Sequence, residues 1–86
     1  MPEICRFYGI VIKMFYKDHV PAHFHAEYQQ YEATFNIQTL EISEGDLPKR
    51  AKLLVLEWAI EHRQELLNDW IKAQKPEQLN KIEPLK

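Results

Sequence analysis

Several things are scarce in this 86-residue chain, and each shortage excludes something. Cysteine occurs once, at Cys5, so no internal disulfide can form. That argues against a stapled secreted miniprotein, and a reducing cytosol fits best. Cys5 lies in an apolar run and reads as a small buried residue. Glycine occurs only twice, which argues against long flexible loops. No apolar run approaches the ~18 residues of a membrane span, and no signal-peptide pattern opens the chain. A cytoplasmic protein without a membrane partner is expected.

Basic residues are missing from one stretch. Residues 27–46 hold five acids (Glu27, Glu32, Glu41, Glu44 and Asp46) and no base. The net charge is −2, so there is no global basic field for nucleic acid. Any contact with a phosphate backbone falls to Arg6, Lys13, Lys17 and the Lys49-Arg50-Lys52 cluster. Apolar residues make up 45% of the chain, enough for a packed fold. The length suits one domain spanning residues 1–86.

The expected fold is α+β: an antiparallel sheet of three to four strands, then one long C-terminal helix packed on one face. Ile4 to Tyr16 is β-branched and aromatic, apolar on both alternating faces, and reads as one strand with a bulge or bend at Gly9. "HFHAEY" and "YEATFNI" read as strands over 22–28 and 31–37, joined at Gln29-Gln30. In a two-residue turn Tyr28 faces Tyr31, Ala26 faces Ala33 and Phe24 faces Phe35, one apolar face. A short strand follows over 39–43. The helix is expected over 47–73, with Asp46 as its N-cap and Pro48 in the first turn. Leu53, Leu56, Ile60, Leu67, Trp70 and Ile71 share one stripe and are expected against the sheet. Arg63 falls inside that stripe, with its stem snorkelling or its charge buried for a purpose. Leu54, Trp58 and His62 lie off it. They are a candidate partner-binding patch unless the tail over 74–86 folds back on them.

What the chain has in abundance is histidine within "KDHVPAHFHAEY", Lys17 to Tyr28, which holds three of the four. On a strand His23, His25 and Glu27 project from one face. His19 lies upstream in the connecting loop, and Asp18 can orient an imidazole. Three readings follow. The first is a metal site: His23 and His25 as ligands, Glu27 or His19 as a third, and a divalent transition metal such as zinc. The second is cofactor-free acid–base cleavage of RNA by His23, His25 and His19, with Arg6 or Lys13 as the phosphate-side cation and Tyr16 as a donor. The third is a polar hairpin face without chemistry, its histidines bracing a turn.

The motif residues Asp18, His19, Pro21, His23, Phe24 and His25, then Gly45-x-Leu47-Pro48, Leu56-Glu57-Trp58 and Ile82-x-Pro84-Leu85, resemble a small bacterial family grouped as domain of unknown function 4160. The resemblance covers nearly the whole chain. Ala22 stands where the family usually has a second proline. Gln29-Gln30 stands where it usually has a glycine-containing turn. The resemblance assigns no activity. It implies a gene context: a second small gene alongside, in a toxin–antitoxin-like arrangement.

With that context, the leading expectation is a toxin-like ribonuclease held by a small partner protein encoded nearby, or pairing with itself as a homodimer. A metal-binding or interaction module is the alternative. On the RNA reading, expression of this chain alone arrests growth, and replacing His23 and His25 together with alanine relieves the arrest. Growth curves decide it, since arrest that survives the double replacement leaves the histidines no catalytic role.

Overall fold

The computed structural model describes residues 3–86. Five strands form an antiparallel meander in the order β1 (Glu3–Phe7), β2 (Ile10–Lys13), β3 (His23–Tyr28), β4 (Tyr31–Asn36), β5 (Ile42–Asp46). Two helices follow, α1 (Lys49–Glu61) and α2 (Arg63–Gln74). The α+β class and the antiparallel sheet are as expected; the element count is not.

The first difference is a turn. The stretch read as one strand over 4–16 is a hairpin, reversed at Tyr8 and Gly9, both with positive φ (50° and 80°). Phe7 faces Ile10 and Cys5 faces Ile12. Odd residues of β1 and even residues of β2 therefore share a side. What read as one strand apolar on both faces is two strands, each apolar on one. Cys5 is buried there, and burial pushes its thiol up to about 11, so it is an inert core residue.

The β3–β4 hairpin has the expected register, from His23 opposite Asn36 to Tyr28 opposite Tyr31. Gln29 takes the left-handed conformation at its turn, with φ 55°. Beyond β4 the chain loops before β5 begins at Ile42, later than the expected 39–43. The Asn36 carboxamide oxygen accepts the Gln38 and Thr39 N–H groups, closing an Asx-type turn there.

The helix divides at His62, whose backbone leaves the helical region (φ −121°, ψ 20°). Asp46 does not cap α1. It ends β5, accepts the Leu47 N–H and pairs with Lys52 at 3.1 Å. The buried stripe also differs from the expected one. Ala51, Val55, Trp58 and Ala59 of α1, with Leu66, Trp70 and Ala73 of α2, are buried. Leu53, Ile60 and Ile71 are 55%, 64% and 53% exposed. Alanines at the contact bring the helices close to the sheet, and the bulk comes from Trp58. Its ring lies 5.4 Å from Phe7 and 6.0 Å from Phe24, which stacks on Phe35. Arg63 is exposed and donates from Nε to the Ile37 carbonyl.

The tail folds back. The Trp58 indole N–H donates to the Glu83 carbonyl at 2.8 Å, and the Ile82 N–H donates to Ile4 on the β1 edge. Trp58 is thus 0% exposed and offers no surface. Leu54 and His62 are only half-buried. Asp69, buried on α2, accepts the Asn80 N–H with one carboxylate oxygen; the other has no partner among the described residues. Among the described residues no helix is long and apolar enough to cross a membrane.

Burial raises the Asp69 pKa above its ordinary value. A group raised in the folded state stabilises fully below its unfolded pKa, and that contribution is lost as pH rises through the folded one. In Asp69→Asn this loss disappears. The variant's unfolding free energy relative to wild type should therefore rise with pH above about 4, then level off. Urea titrations across that range measure it; a pH-independent difference is the opposing result.

Candidate functional site

The sheet's two faces are unequal. Phe24 and Ala26 of β3 point to the helices, while His23, His25 and Glu27 point the other way. A row across three strands runs Lys13, His25, Thr34. The loop between β2 and β3 closes over the end of this face. Its Lys17 N–H donates to the Ala73 carbonyl, Lys17 sits at φ 56°, and the Val20–Pro21 bond is cis.

That loop delivers Asp18 to the histidines. One carboxylate oxygen, Oδ2, lies 2.8 Å from His23 Nε2 and 3.4 Å from His25 Nε2. The other, Oδ1, accepts the His19 N–H at 2.9 Å. The outer ring nitrogens are also engaged. His23 Nδ1 donates to the Pro21 carbonyl at 2.7 Å, and His25 Nδ1 lies 3.3 Å from the Thr34 hydroxyl. Trp70 packs on His23, and Phe15 on His25, holding both rings in place. Burial raises the Asp18 pKa, but hydrogen bonds from His23, the His19 N–H and His25 outweigh it. The carboxyl ends below its ordinary value and is ionised at neutral pH.

His23 therefore has acceptors at both ring nitrogens, a carbonyl at Nδ1 and a carboxylate at Nε2. A neutral imidazole has one N–H and cannot satisfy both. Either a second proton or a cation between Nε2 and Oδ2 resolves the conflict. Asp18, His23 and His25 each offer one atom that could hold a metal ion, all within 4.8 Å of one another. Bond lengths of about 2.0–2.1 Å in a tetrahedral zinc site put its ligand atoms about 3.3 Å apart, so the 3.4 Å His25–Asp18 pair fits as it stands and the hydrogen-bonded 2.8 Å His23–Asp18 pair would open slightly. The outward Nδ1 contacts are the kind that fix tautomer and ring orientation in metal-bound histidines.

Not every expected residue joins them. Glu27 is spent elsewhere, accepting an ion pair from Lys13 at 3.0 Å. The sequence placed Glu27 on the right face but could not reveal its partner, which comes from β2. Asp18 takes the carboxylate role instead. Lys13 is 8% exposed and neutralised by Glu27, and Arg6 forks onto Glu3 on the outermost strand. Neither cation reaches the imidazoles. His19 has a side chain 89% exposed, 3.1 Å from Asp18 Oδ1, and stands at the mouth outside the ligand set. Tyr16 is exposed and Lys17 likewise.

Beside the triad is a cleft of about 310 Å³. Asp18, His19, Pro21, His23 and His25 line one wall; Thr34, Asn36, Ser43 and Glu44 line the other. The expected register, which sets Phe24 opposite Phe35 and Ala26 opposite Ala33, also sets Thr34 opposite His25 and Asn36 opposite His23. Ser43 and Glu44 were not legible in this way: Ser43 closed the expected strand over 39–43 with no sign of a bulge, and Glu44 lay beyond it.

Comparison with known proteins adds the family and no activity. The family model described as Domain of unknown function (DUF4160) matches residues 9–71, well over half of the chain and all of the triad. The chain belongs to this family. No curated protein and no solved structure matches it.

The division of labour between the two carboxylates is testable. Removing the Glu27 charge strands a buried ammonium, a loss of about 1–3 kcal/mol. Glu27→Gln should lower the urea midpoint accordingly while leaving the Asp18–His23–His25 geometry intact. Wild-type stability in that variant would show that Lys13 does not depend on Glu27.

Proposed function

We propose that this DUF4160 domain binds a divalent transition metal through Asp18, His23 and His25. The observation that carries the reading is the double acceptor environment of His23, with two imidazole Nε2 atoms and one carboxylate oxygen converging at one point. Two nitrogens and one oxygen suit zinc, iron or nickel better than the harder magnesium or calcium. Three protein ligands are one short of a closed tetrahedron, which is the pattern of a centre with a position free for a further ligand. Such an ion supplies Lewis acidity at the floor of the cleft. The residues' own tasks are separate: Asp18 neutralises charge, Pro21 and Thr34 orient the rings, and Trp70 and Phe15 shield them from water.

The ribonuclease reading draws on the same histidines and on the toxin–antitoxin-like context that the family resemblance implies. It has less support from geometry. A phosphorane needs a nearby cation, and both candidates are already paired with carboxylates. The expectation of a protein partner moves to another face. The exposed apolar side chains of the helices are Leu53, Ile60 and Ile71.

The test is metal content. Untagged protein equilibrated with zinc and desalted should retain about one ion per chain, with a raised melting temperature. His25→Ala and Asp18→Ala should lose both effects, while Glu27→Gln keeps the ion. Folded wild-type protein that retains no metal, or a His25→Ala variant that retains it fully, overturns the reading.

A further inference from the structure

The wall opposite the triad is built by an irregularity in β5. Thr34 pairs with Glu44, but the next residue, Phe35, pairs with Ile42, so Ser43 is an extra residue on the edge strand. In a regular strand consecutive side chains point to opposite faces. Here Ser43 and Glu44 both line the cleft. Such a bulge re-aims side chains beside a site. The glycine that follows keeps the strand close. Gly45 has φ 73°, and a Cβ there would lie 2.1 Å from the Glu32 carbonyl oxygen. Only glycine lets β5 lie this tightly on β4 immediately beyond Glu44.

The consequence is electrostatic. Thr34 separates His25 from Glu44 in one cross-strand row, so their backbones are about 10 Å apart at two inter-strand spacings. Glu44 and His25 both line the cleft. Among the described residues no lysine or arginine lines the cleft. An adjoining hollow of about 230 Å³, lined by His25, Thr34, Glu32 and Glu44, adds a second carboxylate. A dication held by Asp18 and faced by Glu44 has its charge balanced, with nothing left to attract an anion.

We infer that the Asp18–His23–His25 centre is an open metal site selective for uncharged donor ligands, with Glu44 as the residue that turns anions away. This rests on the metal reading above and adds a ligand class to it: neutral, hydrogen-bonding small molecules, held by the ion and by Ser43 and Asn36. Phosphate esters are the class it excludes. Glu44 acts on the incoming ligand and is no ligand of the ion.

Cobalt-loaded, untagged protein provides the test, because the visible absorption of Co²⁺ reports any new ligand. Imidazole is the neutral probe, azide the monoanion, and sulfate a dianion standing in for a phosphate ester. Wild type should respond to imidazole, and to azide and sulfate only at far higher concentration. Glu44→Gln should tighten azide on the order of tenfold, and sulfate more, with imidazole unchanged. Glu44→Lys, at the same exposed position, should make anions the preferred ligands. Equal response to all three probes in wild type and variants overturns the inference, as does a cobalt-bound spectrum that no probe perturbs. Failure to take up cobalt at all is read separately, from metal content, and removes the metal reading itself.

Discussion

The pairing of β3 with β4 is the constraint on which both halves of this molecule depend. β3 is the central strand of the sheet, and its side chains alternate between two tasks. Phe24 stacks on Phe35 and meets Trp58 on the helix side. His23 and His25 stand on the other side, opposite Asn36 and Thr34. A slip of one residue would put imidazoles beneath Trp58 and Phe24 into the cleft. Core and site therefore share one register. The apolar face enforces it, since burying a side chain such as Phe24 stabilises by about 1.5–3 kcal/mol and a buried unsatisfied imidazole costs a similar amount.

How far the sequence revealed this depends on how local each signal is. The β3–β4 register was legible because alternation on two adjacent strands had to agree, and only one pairing made Phe24–Phe35 and Ala26–Ala33 coincide. The Tyr8-Gly9 reversal was not. Its flanks are apolar on both alternating faces, which a single buried strand and a tight hairpin produce equally well. The helical stripe was misread for a related reason. Most of the helices' leucines and isoleucines lie off the real contact, where Ala51, Ala59 and Ala73 allow the close approach that Trp58 and Val55 then fill. Ranking faces by bulk favours Leu53 and Ile60, which the sheet never meets.

At the site, residue types were readable and partnerships were not. Alternation grouped His23, His25 and Glu27 correctly on one side. Which carboxylate joins the imidazoles depends on where a loop folds and what β2 presents. Lys13 lies directly opposite His25 and two residues along from the partner of Glu27, on the same face, and its nearly buried ammonium pairs with that carboxylate. Asp18 is left to the histidines. It was recognisable as an orienting group from its place before His19, but its convergence on both Nε2 atoms is a property of the folded loop. Ser43 and Glu44 are further removed, because a bulge on an edge strand leaves almost no trace in hydrophobic pattern.

The centre also bears on how so short a chain holds together. A domain of this length buries only about 60–65% of the surface its unfolded chain exposes. The tail helps at one end, closing over Trp58 and the β1 edge. At the other end of β3 the closing contacts are polar, and His23 has an acceptor on each ring nitrogen. A cation held between them would be bound only where the loop has brought Asp18 and Pro21 to the ring, which is to say in the folded chain. A ligand at a hundred times its dissociation constant adds about 2.7 kcal/mol to stability, against a total of about 5–10 kcal/mol for a small domain. On the metal reading proposed above, an ion at the triad would add to the hold that Asp18, Pro21 and the Lys17–Ala73 hydrogen bond already give this loop.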